Sequence, residues 1–282
     1  MEIVDAHHHL WDVATREYPW MDGPWADPLR AAFTPVGLAA VAGPCGVVAS
    51  VVVQAVSAVD ETRELLAVAA DPGNLVAGVV GWVDLTAPSI ADDLAELRSA
   101  RGGSALVAIR HQVQDEPDPD WLLRPDVERG LRAVAAAGLA YDLLVKPPQL
   151  PAAAKIVERL PDQRFVLDHL AKPDIAHGRW EPWAGGLVAL ARHDNVTAKV
   201  SGLVTEADWA TWRPEQLLGY VRHALDCFGP DRLMFGSDWP VCTLAASYEE
   251  VAATADRLLS HLNPNERAEV FANTARRAYH LP

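Results

Sequence analysis

Cysteine is scarce: Cys45, Cys227 and Cys242 are the only three in 282 residues. They are too few and too irregularly spaced for a disulfide framework or a CxxC zinc site, and a reducing cytoplasm suits them. Positive charge is short as well. With 24 Lys and Arg against 38 Asp and Glu the formal charge is −14, which argues against nucleic-acid and anionic membrane partners, because both need a concentrated positive field. Long apolar runs are missing: even Val47 to Val59 is broken by Gln54 and Ser57, short of the roughly 18 residues of a membrane helix. The opening MEIVDAHHHLWD lacks a basic segment followed by an apolar run, so no signal peptide is expected. No internal repeat, low-complexity tract or linker marks a domain boundary, and no GxSxG nucleophile elbow occurs.

What is present is a chain half hydrophobic with ten tryptophans. Without a basic groove beside them, tryptophans read as core or as the wall of a small-molecule pocket. Short β-branched runs alternate with longer runs of helical period, the pattern of βα units around a parallel sheet. Eight strands are expected: Ile3 to Ala6, Val47 to Gln54, Leu75 to Trp82, Ala105 to His111, Leu139 to Val145, Arg164 to His169, Asn195 to Ser201 and Arg232 to Gly236. A helix opens at Arg124-Pro125-Asp126 and stops at Gly138, and Trp183, Leu187, Leu190 and Ala191 recur at helical spacing, with Trp180 early enough to lie in a loop. This length and alternation predict an α/β fold with residues 1–282 forming one (β/α)8 TIM-type barrel domain. Two connections are long. Residues 10–45 carry Trp11, Tyr18, Trp20 and Trp25, as a lid or pocket wall would, and Gln112 to Trp121 is acidic and Pro-rich.

In such a barrel the chemistry sits at the C-terminal strand ends. His7 and His9 share one face of an extended strand, a spacing that suits two ligands of one metal or two donors to one substrate oxygen, while His8 points away. Asp238 stands where the eighth strand gives way to Trp239-Pro240, which disfavours helix capping and leaves a general base or a metal ligand. His169 ends the sixth strand, and Asp168 alternates away from it towards a neighbour. Arg110 and His111 end the fourth strand, Tyr141 and Asp142 lie on the fifth.

The segments VDAHHHLW, VVVQAV, GWVDL, IRHQVQDEPD, YDLLVKPPQL, FVLDHLAKP, KVSGL and FGSDWPV together resemble the lactonase branch of the amidohydrolase superfamily, from about residue 2 to the C-terminus. That group includes L-fuconolactonases, L-rhamnonolactonases and 2-pyrone-4,6-dicarboxylate lactonases. The resemblance implies an amidohydrolase-like barrel in which the histidine pair falls on His7 and His9, the sixth-strand histidine on His169 and the eighth-strand aspartate on Asp238. It departs from the two-metal pattern, since Tyr141-Asp142 stands where many relatives offer a histidine and Arg110-His111 where they offer a lysine or glutamate. A two-metal site is therefore not expected; the resemblance to this lactonase branch implies that catalysis can proceed without a metal, with a single Zn²⁺ or Mn²⁺ on His7, His9, Asp238 and His169 as the alternative. The implied reaction is hydrolysis of a sugar lactone in carbohydrate catabolism, with Asp238 as base and His7, His9, His169 and Arg110 polarising the carbonyl. Gln54, Trp82, Lys172, Lys199, Trp11 and Trp239 are expected to contact substrate, although Lys199 also reads as an ion-pair partner inside the barrel. Competing readings are a metal-dependent decarboxylase of the same superfamily and a barrel that binds a ligand without chemistry. The expected partner is a small lactone, and a homo-oligomer is compatible with the sequence.

Overall fold

In the computed structural model, which describes residues 2–282, eight parallel strands pair in chain order. They are β1 (Ile3–His8), β2 (Val47–Val53), β3 (Val76–Gly81), β4 (Leu106–His111), β5 (Ala140–Leu143), β6 (Phe165–Leu167), β7 (Val196–Val200) and β8 (Leu233–Phe235). A parallel bridge between His8 and Trp239 joins the last strand's end to the first, reinforced by bonds from the Asp238 N–H to the His7 carbonyl (2.8 Å) and from the His9 N–H to the Trp239 carbonyl. One helix follows each strand: α1 (Pro35–Ala42), α2 (Val59–Ala69), α3 (Ile90–Ser99), α4 (Pro125–Ala136), α5 (Leu150–Arg159), α6 (Trp183–Ala191), α7 (Pro214–Phe228) and α8 (Tyr248–Leu258). The result is a (β/α)8 barrel. Proline opens α1, α4, α5 and α7, where its missing N–H costs nothing, and a Ser247–Glu250 capping box opens α8. Among the described residues no helix is long and apolar enough to cross a membrane.

The strands are buried on both faces, as a barrel requires. Ile109, Leu143, Phe165, Leu167, Ala198, Leu233 and Phe235 face the helices. Small residues fill the interior: Val4, Ala6, Val51, Val53, Val80, Ala108, Ala140, Val166 and Met234 form one cluster. The C-terminal segment closes the lower end, adding Ala272, Ala275, Ala278 and Tyr279 to that cluster. Above this apolar layer the interior turns polar, with Arg110, Asp142, Asp168 and Lys199 all buried.

Strand β1 does not keep strict alternation. Asp5 pairs with Ser50 and His8 with Val52, three steps against two, so one extra residue bulges out of the ladder. Val4 and Ala6 face the interior, and Asp5 faces outward to the Ser237 hydroxyl (2.6 Å) and the Tyr248 hydroxyl (2.9 Å). The bulge then turns His7 inward beside Lys199 and Arg110, while His8 points out to Ser50 Oγ at 3.0 Å. Bulges re-aim side chains beside active sites in this way.

The long first connection is structured. Trp11–Asp12 pairs antiparallel with Ala32–Phe33, a 3-10 turn spans Pro24–Leu29, and α1 follows. Trp11, Tyr18, Met21, Ala26, Leu29 and Ala55 form its own small core. The loop after β2 is strapped by Glu61, whose Oε2 accepts from the N–H groups of Ala55 (2.9 Å) and Val56 (3.0 Å). Burial pushes the Glu61 carboxyl up to about 7, against the pull of those two N–H groups. A carboxyl raised on folding makes the native state bind more protons than the unfolded chain between about pH 4.5 and about pH 7, so stability falls as pH rises through that window. Glu61→Gln should remove up to about 3 kcal/mol of this loss. In urea unfolding, the variant's stability relative to wild type should therefore be greater at pH 8 than at pH 5, and a pH-independent difference would contradict the assignment.

Candidate active site

Four groups from three strand ends converge above the polar layer. His7 Nε2 and His9 Nε2 stand 3.3 Å apart. Asp238 Oδ1 lies 3.8 Å from His7 Nε2, 3.5 Å from His9 Nε2 and 3.9 Å from His169 Nε2. All four residues are buried, which separates them from surface histidines and chance carboxylates. Asp238 adopts a left-handed backbone conformation (φ 57°), tolerable for Asp because its short polar chain bonds locally. Asp5, bonded to the Ser237 N–H and hydroxyl, ties the turn that carries Asp238 to β1.

The outer nitrogens decide what the inner ones can do. His9 Nδ1 lies 2.7 Å from the Val53 carbonyl, which can only accept, so the proton is on Nδ1 and Nε2 presents a lone pair. His169 Nδ1 meets the Ser201 hydroxyl at 2.9 Å, behind the ring and away from the cleft. His7 Nδ1 has two neighbours, the Lys199 ammonium at 3.1 Å and Asp168 Oδ1 at 3.3 Å. Burial holds His7 well below the usual imidazole range and pulls His169 down to about 4, so both rings are neutral near neutral pH. Burial alone would raise the Asp238 carboxyl, but the facing His169 and Lys172 reverse this and hold it below its ordinary value. Asp238 is thus an ionised carboxylate facing the neutral rings of His7 and His169.

His169 reaches this position through an unusual turn. His169, Leu170, Ala171 and Lys172 all have positive φ (52°, 50°, 61°, 52°), a left-handed run costing roughly 1–2 kcal/mol per residue. Packing enforces it: Leu170 and Ala171 are fully buried, and the Trp183 indole N–H donates to the Leu170 carbonyl (2.6 Å). Because such a tight turn eclipses positions three apart, His169 and Lys172 both face the cleft. Gly202 makes room: a Cβ there would stand 2.6 Å from His169 Nδ1.

The cleft above has a volume of about 450 Å³. His9, Arg110, His169, Lys172 and Asp238 line it, as the sequence leads one to expect for each. His7 lies just beneath. Four expected contacts are corrected, those of Gln54, Trp82, Trp11 and Trp239, and of the two readings of Lys199 the ion pair inside the barrel is the one found. Lys199 and Gln54 are fully buried below the cleft; Gln54 Oε1 accepts from Arg110 Nη2 at 2.9 Å, and Lys199 pairs with Asp142 (2.6 Å) and Asp168 (2.8 Å). Trp82 turns aside to donate to His111 Nδ1 at 3.0 Å. Trp11 lies under Trp20 with its indole N–H on the Leu29 carbonyl, and Trp239 packs edge-on against Phe33. Their places in the wall are taken by Trp20, Gln112 and Gln114. The Trp20 indole nitrogen and Gln114 Oε1 are buried without a partner. The run Gln112-x-Gln114 just past β4 was a readable signal, since strand-end polar residues are the ones that reach a barrel's mouth.

The donor set fits one divalent ion. Two ligand atoms about 2.0–2.1 Å from a tetrahedral zinc stand about 3.3–3.4 Å apart, close to the observed separation of the two imidazole nitrogens, and His7, His9 and Asp238 are mutually within reach. His7, Asp168 and His169 form a second such group, but the Lys199 ammonium, 2.8 Å from Asp168 and 3.1 Å from His7, already fills that space.

Comparison with known proteins agrees with this geometry. A family model described as amidohydrolase matches residues 4–281. The chain is 40% identical over 290 residues to the L-fucono-1,5-lactonase of Burkholderia multivorans, covering 99% of this chain and 96% of the relative. The L-fucono-1,5-lactonase of Burkholderia ambifaria is also 40% identical, over 293 residues, covering 99% and 95%. A crystal structure of an amidohydrolase from Burkholderia multivorans with bound zinc superposes with a TM-score of 0.91 at 39% identity, over the full length of both chains. With the barrel, the histidine pair and the strand-end aspartate in place, the chain belongs to the amidohydrolase family.

Proposed function

We propose that this protein hydrolyses a sugar lactone of the L-fucono-1,5-lactone type to the aldonic acid. The observation that carries the reading is an ionised Asp238 at the floor of a small cleft, within 4 Å of three imidazole nitrogens. Full-length 40% identity to two L-fucono-1,5-lactonases supports the substrate class. Arg110 is already paired with Asp168 (2.9 Å) and Lys172 with Glu206 (3.3 Å). The charge of each cation is already balanced by one carboxylate, which favours a neutral sugar lactone over a pyrone dicarboxylate. Trp20 offers the cleft a flat ring, and Gln112 and Gln114 bring polar amide side chains to its wall, the mixture a sugar ring would meet.

In the mechanism, Asp238 takes a proton from water as its oxygen adds to the ring carbonyl. The developing oxyanion faces the Arg110 guanidinium, held in place by Asp168 and Gln54, with Lys172 as a second cation at the rim. Collapse breaks the ring C–O bond, and the proton on Asp238 passes to the departing alkoxide. His9 accepts rather than donates, because its one proton is committed to Val53. Ser201 stays behind His169 and takes no part as a nucleophile. If one divalent ion is bound, His7, His9 and Asp238, with His169, would hold it, and it would polarise the carbonyl and acidify water. The zinc in the related amidohydrolase supports that option.

A pH-monitored screen of sugar lactones should show hydrolysis of L-fucono-1,5-lactone. Asp238→Asn should lower kcat by roughly 10²–10⁴-fold while circular dichroism stays unchanged; full activity in that variant would remove the assigned base. Metal analysis after chelation and reloading should return at most one zinc per chain, and His9→Gln should lose it. Two equivalents, or undiminished binding by His9→Gln, would refute the assigned ligands.

A further inference from the structure

The mechanism leaves unexplained a column of hydrogen bonds running down the barrel beneath His7. The Tyr279 hydroxyl, from the segment closing the lower end, donates to Asp142 Oδ2 at 2.7 Å. Lys199 Nζ donates to the same oxygen at 2.6 Å, contacts Asp168 Oδ1 at 2.8 Å and reaches His7 Nδ1 at 3.1 Å. The Tyr279 ring also lies under the ammonium, 5.3 Å from its centroid. Every member is buried from water.

We propose that Lys199, braced from the barrel floor by Tyr279 through Asp142, is a positioning residue that fixes the ring and the proton of His7. An ammonium has only donors. Bonded to it, His7 Nδ1 accepts, and the single ring proton of the neutral imidazole sits on Nε2. That proton then points at His9 Nε2, 3.3 Å away, whose lone pair is set by the Val53 bond. The links Tyr279, Asp142, Lys199, His7, His9 are consistent in donor and acceptor, whereas Arg110 Nη1, 3.4 Å from His7 Nε2 and only a donor, matches the opposite tautomer. If Lys199 withdraws, Asp168 at 3.3 Å can accept a proton from Nδ1, and His7 Nε2 becomes a bare lone pair. Whichever neighbour holds Nδ1 decides what His7 shows the cleft. Tyr279 belongs to this device because Asp142 is shared: its Oδ2 takes both donors, and its Oδ1 has no partner.

The proposal rests on the lactonase reading for its kinetic arm but not for its spectroscopic one. In the full-length chain freed of divalent ions and labelled with ¹⁵N-histidine, His7 should show an unprotonated Nδ1 and a protonated Nε2, assigned by the loss of its resonances in His7→Gln. Tyr279→Phe, which removes one oxygen, should move the His7 ring resonances and lower kcat about three- to tenfold with KM within about twofold of wild type. Combined with Asp142→Asn it should add no further loss in kcat, since both act through one group. A proton on His7 Nδ1 overturns the proposal, as do unmoved resonances or unchanged kcat in Tyr279→Phe, including the case where that variant only melts earlier. A wild type that hydrolyses no lactone defeats the functional reading, and the ring resonances then decide this inference alone.

Discussion

Lys199 places a fully buried ammonium between Asp142 and Asp168, with Arg110 on the far side of Asp168. Taking such charges out of water costs several kcal/mol per ion, and only close pairing with further hydrogen bonds repays it. The pairing here is unequal. Burial would raise the Asp168 carboxyl, yet Lys199 and Arg110 hold it well below the ordinary range, whereas burial pushes Asp142 up to about 6 despite Lys199. Asp168 is the permanent anion to which both cations and His7 are referenced. An apolar core would be cheaper, but it would leave Arg110 and His7 free to turn. The cluster exchanges stability for orientation.

That exchange explains which parts of the site were legible beforehand. The eight strands show in the sequence because burial on both faces writes continuous apolar runs, and His7, His9 and Asp238 show because each stands at a strand end. The phase of β1 was hidden. Alternation puts His7 and His9 on one side, but only the paired register of Asp5 and His8 reveals that this side is the interior. The left-handed turn was hidden too, since DHLAK contains no glycine to announce positive φ; it is imposed by tertiary contacts from Trp183 and Ser201. Gln54 reads as a mouth residue because polar residues near strand ends usually reach it, and the charge cluster draws it inward instead, while Lys199 takes the second of its two expected places, as an ion-pair partner inside the barrel. Trp20 lies in the aromatic first connection read as a pocket wall, whereas Gln112 and Gln114 read only as part of a loop, although the turn after β4 brings them to the cleft.

The same arrangement bears on how the site would meet a divalent ion. His9 is committed as a lone-pair donor by the Val53 carbonyl, but His7 has a donor and an acceptor within 3.3 Å of the same nitrogen. The cofactor question thus reduces to a local choice at one imidazole rather than to a different fold.

The bulge in β1 has a further consequence, for how this site can change over time. Substitutions alter what His7 and His9 are, but not which way they face. Facing depends on one surplus residue between Asp5 and His8, and a one-residue slip in a strand carries every following side chain to the opposite face. A change that let this stretch relax to strict alternation, with no residue lost, would leave both histidines in the gene and turn them out of the barrel, because His7 and His9 would then fall in phase with Asp5. Descendants of this gene can therefore keep the histidine motif in full while losing the site it builds.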